Sequence, residues 1–131
     1  MWKFNMTINY RLILISALLM FGSAYEPKYD HLDIEAILKE TENLQSFMDC
    51  FLHRNPCDPI GTHFISKYDL NLPEAVQLGC SKCTPAQKNI FKRFLEESGK
   101  RIPGDLILLR NKYDPDKKYF AELKKALAVA A

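Results

Sequence analysis

The chain has little charge of either excess, one tryptophan and no long apolar run, and each shortage excludes something. Its 18 basic and 16 acidic residues differ by only +2, and that excess lies in the first 24 residues, where Lys3 and Arg11 have no acid beside them. Beyond residue 24 the two signs balance and are interspersed, so the chain lacks the electrostatic footprint of a nucleic-acid or anionic-membrane partner. The longest apolar run, Leu12 to Phe21 with only Ser16 breaking it, is shorter than the roughly 20 residues that span a bilayer. Stable membrane insertion is therefore not expected. No segment alternates apolar and polar residues for long, and there is no internal repeat and no low-complexity linker.

What the first residues do contain is the pattern of a secretory leader. A charged start with Lys3 and Arg11, an apolar stretch and the small trio Gly22-Ser23-Ala24 place a cut after Ala24. The 131 residues then divide into a leader, 1–24, and one small domain, 25–131. Trp2 and the sequon Asn5-Met6-Thr7 fall in the leader, so the mature protein is expected in extracellular fluid without tryptophan or N-glycan.

All four cysteines, Cys50, Cys57, Cys80 and Cys83, lie beyond the leader, and an even count behind a leader reads as two disulfides. Four cysteines allow three pairings. The local one, Cys50 with Cys57 and Cys80 with Cys83, is favoured because the chain itself holds each pair close. Such short loops pin turns and contribute roughly 2 kcal/mol each. Cys80-Ser81-Lys82-Cys83 also has the spacing of a thiol-exchange centre, with Lys82 beside it, but no βαβ pattern surrounds it. A zinc site usually has two close pairs, whereas Cys50 and Cys57 have six residues between them. No metal and no cofactor are expected.

Helical spacing recurs throughout. Asp33 can cap a short helix with Ile34, Ile37 and Leu38 on one face. Thr41 opens a second, in which Leu44, Phe47, Met48, Phe51 and Leu52 form a complete stripe that ends before Asn55-Pro56. Asp58-Pro59 starts a third segment with Phe64, Ile65 and Tyr68, and Pro73 suits the first turn of a new helix. One kinked helix and two separate ones remain open there. Thr84-Pro85-Ala86-Gln87 has the residues of a capping box, with Ile90, Phe91, Phe94 and Leu95 as the buried face and Gly99 as the stop. Leu106 to Leu109 is expected as a short helix buried on most sides. Tyr113-Asp114-Pro115 repeats the cap-then-proline start before a final stripe of Tyr119, Phe120, Leu123 and Leu127. The fold class is all-α, one domain of six or seven short helices.

Tyr29 to Ile34, the cysteine-bearing second helix, Leu72-Pro73-Glu74-Ala75, Cys80 to Cys83 and Lys112-Tyr113-Asp114-Pro115, in that order, resemble the insect chemosensory proteins, the OS-D-like family. The resemblance implies a secreted helical globule around an apolar channel that carries long-chain lipids and semiochemicals, and it implies the same local disulfides. Two departures stand out. The interval between Cys57 and Cys80 is four residues longer than the family's usual eighteen. The additions fall before Leu72, so that Tyr68 to Asn71 are expected to lengthen or break the third helix. Leu106 stands where the family often has tryptophan, exchanging an aromatic wall for an aliphatic one.

The resemblance directs attention to Phe47, Met48, Ile65, Val76, Phe91, Phe94, Leu106, Leu109 and Tyr119 as channel residues. Phe47 occupies a position where the family often shows tyrosine, and Tyr29 and Tyr119 are the phenols that could replace it at a ligand head group. The implied partners are fatty acids, long-chain alcohols or esters, bound by a monomer. No catalytic residue is assigned. A histidine at a helix end, as His53 is, more often stabilises the last carbonyls, and no nucleophile motif surrounds His53 or His63. The contrasting reading is a secreted interaction module with a dry helical core.

Overall fold

Most helices here begin where a short polar side chain replaces a missing backbone acceptor. A computed structural model describes residues 24–66 and 70–129; the expected leader up to Ser23, and Tyr68, lie outside the described residues. Seven helices occupy them and no strand: α1 (Ile34–Leu38), α2 (Thr41–Phe51), α3 (Pro59–Ile65), α4 (Leu72–Gln77), α5 (Pro85–Arg101), α6 (Pro103–Tyr113) and α7 (Phe120–Leu127). Asp33 accepts from the Ala36 N–H at 3.1 Å, Asp58 from Gly61 at 2.7 Å and Asn71 from Glu74 at 3.3 Å. At α5 the capping box is complete: Thr84 Oγ1 accepts from Gln87 N at 3.1 Å, and Gln87 Oε1 from Thr84 N at 2.9 Å. Prolines occupy the first turns of α3, α4, α5 and α6, where the missing N–H has no helical partner to lose.

The helices end on backbone geometry. Past α2, His53 takes a left-handed φ of 59°, its N–H bonds Cys50 O and that of Arg54 bonds Asp49 O. This is the paired closure usually made with glycine, so His53 serves the helix end through its main chain. Gly79 and Cys80 close α4 in the same way.

Four sequence expectations are settled or corrected. The segment after Asp58 is two helices, since Ser66 is extended and α4 starts afresh at Leu72. Gly99 does not stop α5, which runs on to Arg101. The stop comes at Ile102, because a residue before proline avoids the helical region. Leu106 to Leu109 is part of an 11-residue helix of which only Leu109 is buried, while Ile107 and Leu108 are 57% and 50% exposed. Four apolar residues in a row cannot share one face of a helix. Finally, Asp114 does not start a helix at Pro115. Its carboxylate turns forward and accepts from the N–H groups of Lys118, Tyr119 and Phe120, so α7 begins at Phe120.

The disulfides join Cys50 to Cys57 and Cys80 to Cys83, the local pairing. The first ties the end of α2 to the start of α3 and the second sits between α4 and α5. A Cβ on Gly61 would lie 2.8 Å from Cys50 Sγ, so glycine is what lets α3 pack against the bridge. α5 is the central element, touching α1, α2, α6 and α7. Its polar edge is tied down by Arg93, which bonds Glu35, Glu96 and Glu97, and by Arg101, which donates to the Leu38 carbonyl. No helix among the described residues is long and apolar enough to cross a membrane.

Candidate functional site

α2 and α5 face each other with aromatic side chains, and rigid rings do not fill all of the space between them. Phe51 stacks on Phe47 at 6.2 Å and meets Phe94 edge-on at 5.3 Å. Beside them lies a cavity of about 40 Å³. Its walls are Ile34, Ile37 and Leu38 of α1, Phe47 and Phe51 of α2, and Gln87, Ile90, Phe91 and Phe94 of α5. Phe64, Leu70, Leu72 and Leu32 complete it. Leu32, Ile37 and Phe47 are only partly buried and form its approach from solvent.

Gln87 is the single polar residue among these, and both ends of its amide are bonded to backbone. Oε1 serves the α5 cap, and Nε2 donates to the Glu26 carbonyl at 2.8 Å. No titratable side chain lines the cavity. The site offers dispersion and removal from water, with no acid, base or nucleophile to drive a reaction.

Of the channel residues considered from sequence, the structure brings Phe47, Phe91 and Phe94 together on this wall. Met48, Val76 and Leu109 lie in solid core, each at most 2% exposed. Ile65 is half-buried at the end of α3 and does not line the cavity. Leu106 lines a different depression, between α5, α6 and α7. Tyr29 packs edge-on against the His63 ring at 5.0 Å, and Tyr119 is 37% exposed beside α7. Neither phenol reaches the cavity. The wall also uses Ile34, Ile37, Leu38, Phe51 and Ile90, all stripe positions. The signal that separates Phe47 and Phe51 from Leu44 and Met48 is their offset within the α2 stripe, which turns one row to the cavity and the other to the core.

Charged groups are kept at other parts of the surface. Arg54, with help from Gln45, holds the Asp105 carboxyl below the usual carboxylate range. Lys82 and then Tyr25 do the same for Glu74, while burial and that carboxylate push the Tyr25 phenol up. Among the described residues no group of three or more His, Cys, Asp or Glu could hold a metal ion.

Comparison with known proteins gives a consistent picture. Residues 25–121 match the model of the insect pheromone-binding family A10/OS-D. Allergen Tha p 1 of Thaumetopoea pityocampa is 30% identical over 106 residues, 81% of each chain. Ejaculatory bulb-specific protein 3 of Drosophila melanogaster is 30% identical over 95 residues, 72% of each. Among solved structures, a chemosensory protein in complex with bromo-dodecanol superposes with a TM-score of 0.66 at 28% identity, covering 77% of this chain and 97% of that one.

Proposed function

From the premise that the chain belongs to the insect A10/OS-D pheromone-binding family, a family of carriers and not of enzymes, we propose that it is a secreted carrier for one long apolar chain. The observation that carries this reading is the cavity between α1, α2 and α5, walled by apolar side chains with its one amide satisfied. Such a wall rewards burial of hydrocarbon at about 25 cal/mol per Å² and rewards nothing else. A solved relative in complex with bromo-dodecanol supports a ligand of that class: fatty acids, long-chain alcohols or esters.

The cavity must widen to work. At about 40 Å³ it is far smaller than the roughly 150 Å³ void that accepts a single benzene. Phe47, Ile37 and Leu32 at the approach are the side chains free to swing aside. The ligand enters tail first and leaves its head group at the mouth, where water can bond it. Removal of a leader after Ala24 belongs to the same reading. In support, Tyr25 is the first buried residue among those described, with its N–H on the Lys82 carbonyl at 3.0 Å and its hydroxyl on Glu74 at 3.1 Å, and the family match starts there.

The small volume is also the observation that favours the contrasting reading, a dry-core interaction module. Calorimetry decides between them. The carrier is expected to bind 1-dodecanol with roughly micromolar affinity, about −8 kcal/mol, and with a negative heat-capacity change from apolar burial. Absence of heat, with no displacement of a bound fluorescent probe by C12 to C18 chains, would establish the dry core instead.

A further inference from the structure

A second depression lies away from the cavity, where α5, α6 and α7 meet. Two adjoining clefts of about 220 and 230 Å³ share Arg110 and Phe120 as a common wall. The floor of the first cleft is apolar, made by Leu95, Leu106, Phe120 and Val129. Four cations stand around it: Lys100 and Lys124 at one cleft, Lys117 at the other, Arg110 between them.

Two carboxylates line the same clefts, Glu96 and Asp114. Glu96 bonds Arg93 at 2.9 Å through Oε2 while its Oε1 is buried without a hydrogen bond, and Asp114 accepts three backbone N–H groups and is further stabilised by the charge of Arg110. Lys100 shares Glu97 at 3.6 Å. Among the described residues, Arg110, Lys117 and Lys124 make no salt bridge. Arg110 instead rests over the Phe120 ring at 5.1 Å, which holds the guanidinium fork at the junction of the clefts. An apolar floor beneath four cations that outnumber the two lining carboxylates matches one kind of molecule, an apolar chain ending in an anion.

We propose that this cleft binds a carboxylate-headed amphiphile, with the carboxylate on Arg110 and Lys124 and the chain over Leu106, Phe120 and Val129. The guanidinium offers two parallel donors that fit a carboxylate, and Lys124 adds a point charge. A neutral alcohol of equal length would gain the floor and not the cations. The site is independent of the cavity, so it stands or falls separately from the carrier reading.

The test uses the disulfide-bonded protein, saturated with 1-dodecanol, and carboxyl-labelled decanoate as probe, followed by NMR at the Arg110 side-chain N–H and at the Phe47 and Phe91 rings. Decanoate is expected to shift the Arg110 signal without displacing dodecanol, and decanol at equal concentration is not. Arg110→Gln and Lys124→Gln should each weaken decanoate by about tenfold or more, as for a lost charged hydrogen bond, and leave dodecanol binding unchanged. Both side chains are on the surface, so loss of folding is not expected, and circular dichroism checks it. Three outcomes would overturn the site: decanoate moving only the Phe47 and Phe91 signals, decanol shifting Arg110 equally, or unchanged decanoate affinity in both variants. Should dodecanol fail to bind while decanoate still shifts Arg110, the carrier reading falls and this one stands.

Discussion

α5 walls two spaces of opposite character. Its first half, with Ile90, Phe91 and Phe94, closes a small apolar cavity, and its second half, with Leu95 and Lys100, floors and rims an open cationic cleft. The first has no titratable group and little room; the second has both. The contrast shows that present volume and chemical suitability are separate properties. Hydrocarbon needs only side chains able to yield, whereas an anion needs fixed donors already in place.

The comparison breaks most severely if the frame behind the cleft is lost. Leu109 is the one buried residue of α6 and is 2% exposed, so Leu109→Ala is expected to cost about 3 to 5 kcal/mol in urea unfolding. Next come the bridges. Replacing Cys50 and Cys57 together by serine should cost about 2.5 kcal/mol, and Cys80 with Cys83 about 2 kcal/mol, the difference following loop length. A smaller loss is expected at the cavity mouth. Phe47→Ala should lower stability by about 1 to 2 kcal/mol, since buried area is lost where a void already exists. Phe47→Tyr should be nearly neutral, because at this partly buried position its hydroxyl can reach water. A loss of about 3 kcal/mol or more for the alanine variant, with clear destabilisation by tyrosine, would instead make Phe47 core.

Acid sharpens the comparison locally. Burial would raise the Asp114 pKa, but bonds from the N–H groups of Phe120, Lys118 and Tyr119 outweigh it and the carboxyl sits below its ordinary value. A lowered folded-state pKa means that the stabilisation is complete above the unfolded value, about 3.9, and disappears as pH falls through the folded one. Hydrogen exchange below about pH 4 should therefore show α7 amides losing protection before those of α2, and Asp114→Asn should reproduce the pattern at neutral pH. The smallest expected effect is none: from about pH 5 to about pH 8, and on raising salt, dodecanol affinity should not change, because nothing on the cavity wall titrates over that range. Decanoate affinity should fall with salt, as exposed charges are screened.

Where local chemistry decides, the sequence was a good guide. The cap, proline and glutamine at Thr84 to Gln87 announce α5 without any tertiary knowledge, and the stripe from Leu44 to Leu52 announces α2. Gly99 misleads because a helix already held along its length by Arg93, Arg101 and packing tolerates one glycine at about 1 kcal/mol. Ile107 and Leu108 mislead because an apolar run says nothing about how many neighbours exist to cover it. The site was legible only in part for a related reason. Phe47 and Met48 are adjacent in one apolar stripe, yet one faces the void and the other is buried completely. Hydrophobic periodicity marks the inward side of a helix; whether that side meets atoms or space depends on the partner helices.

The satisfied amide of Gln87 has a consequence for selectivity. With both its Nε2 and its Oε1 bonded to backbone, this amide is held away from a ligand, and the cavity responds chiefly to how much hydrocarbon it encloses. Each further methylene is worth about 0.8 kcal/mol, close to a fourfold step in affinity. Homologous alcohols, acetates and aldehydes should then fall on parallel lines when affinity is plotted against carbon number, rising evenly and levelling where the chain first meets the closed end. The molecule would act as a ruler, indifferent to the label at the end of what it measures.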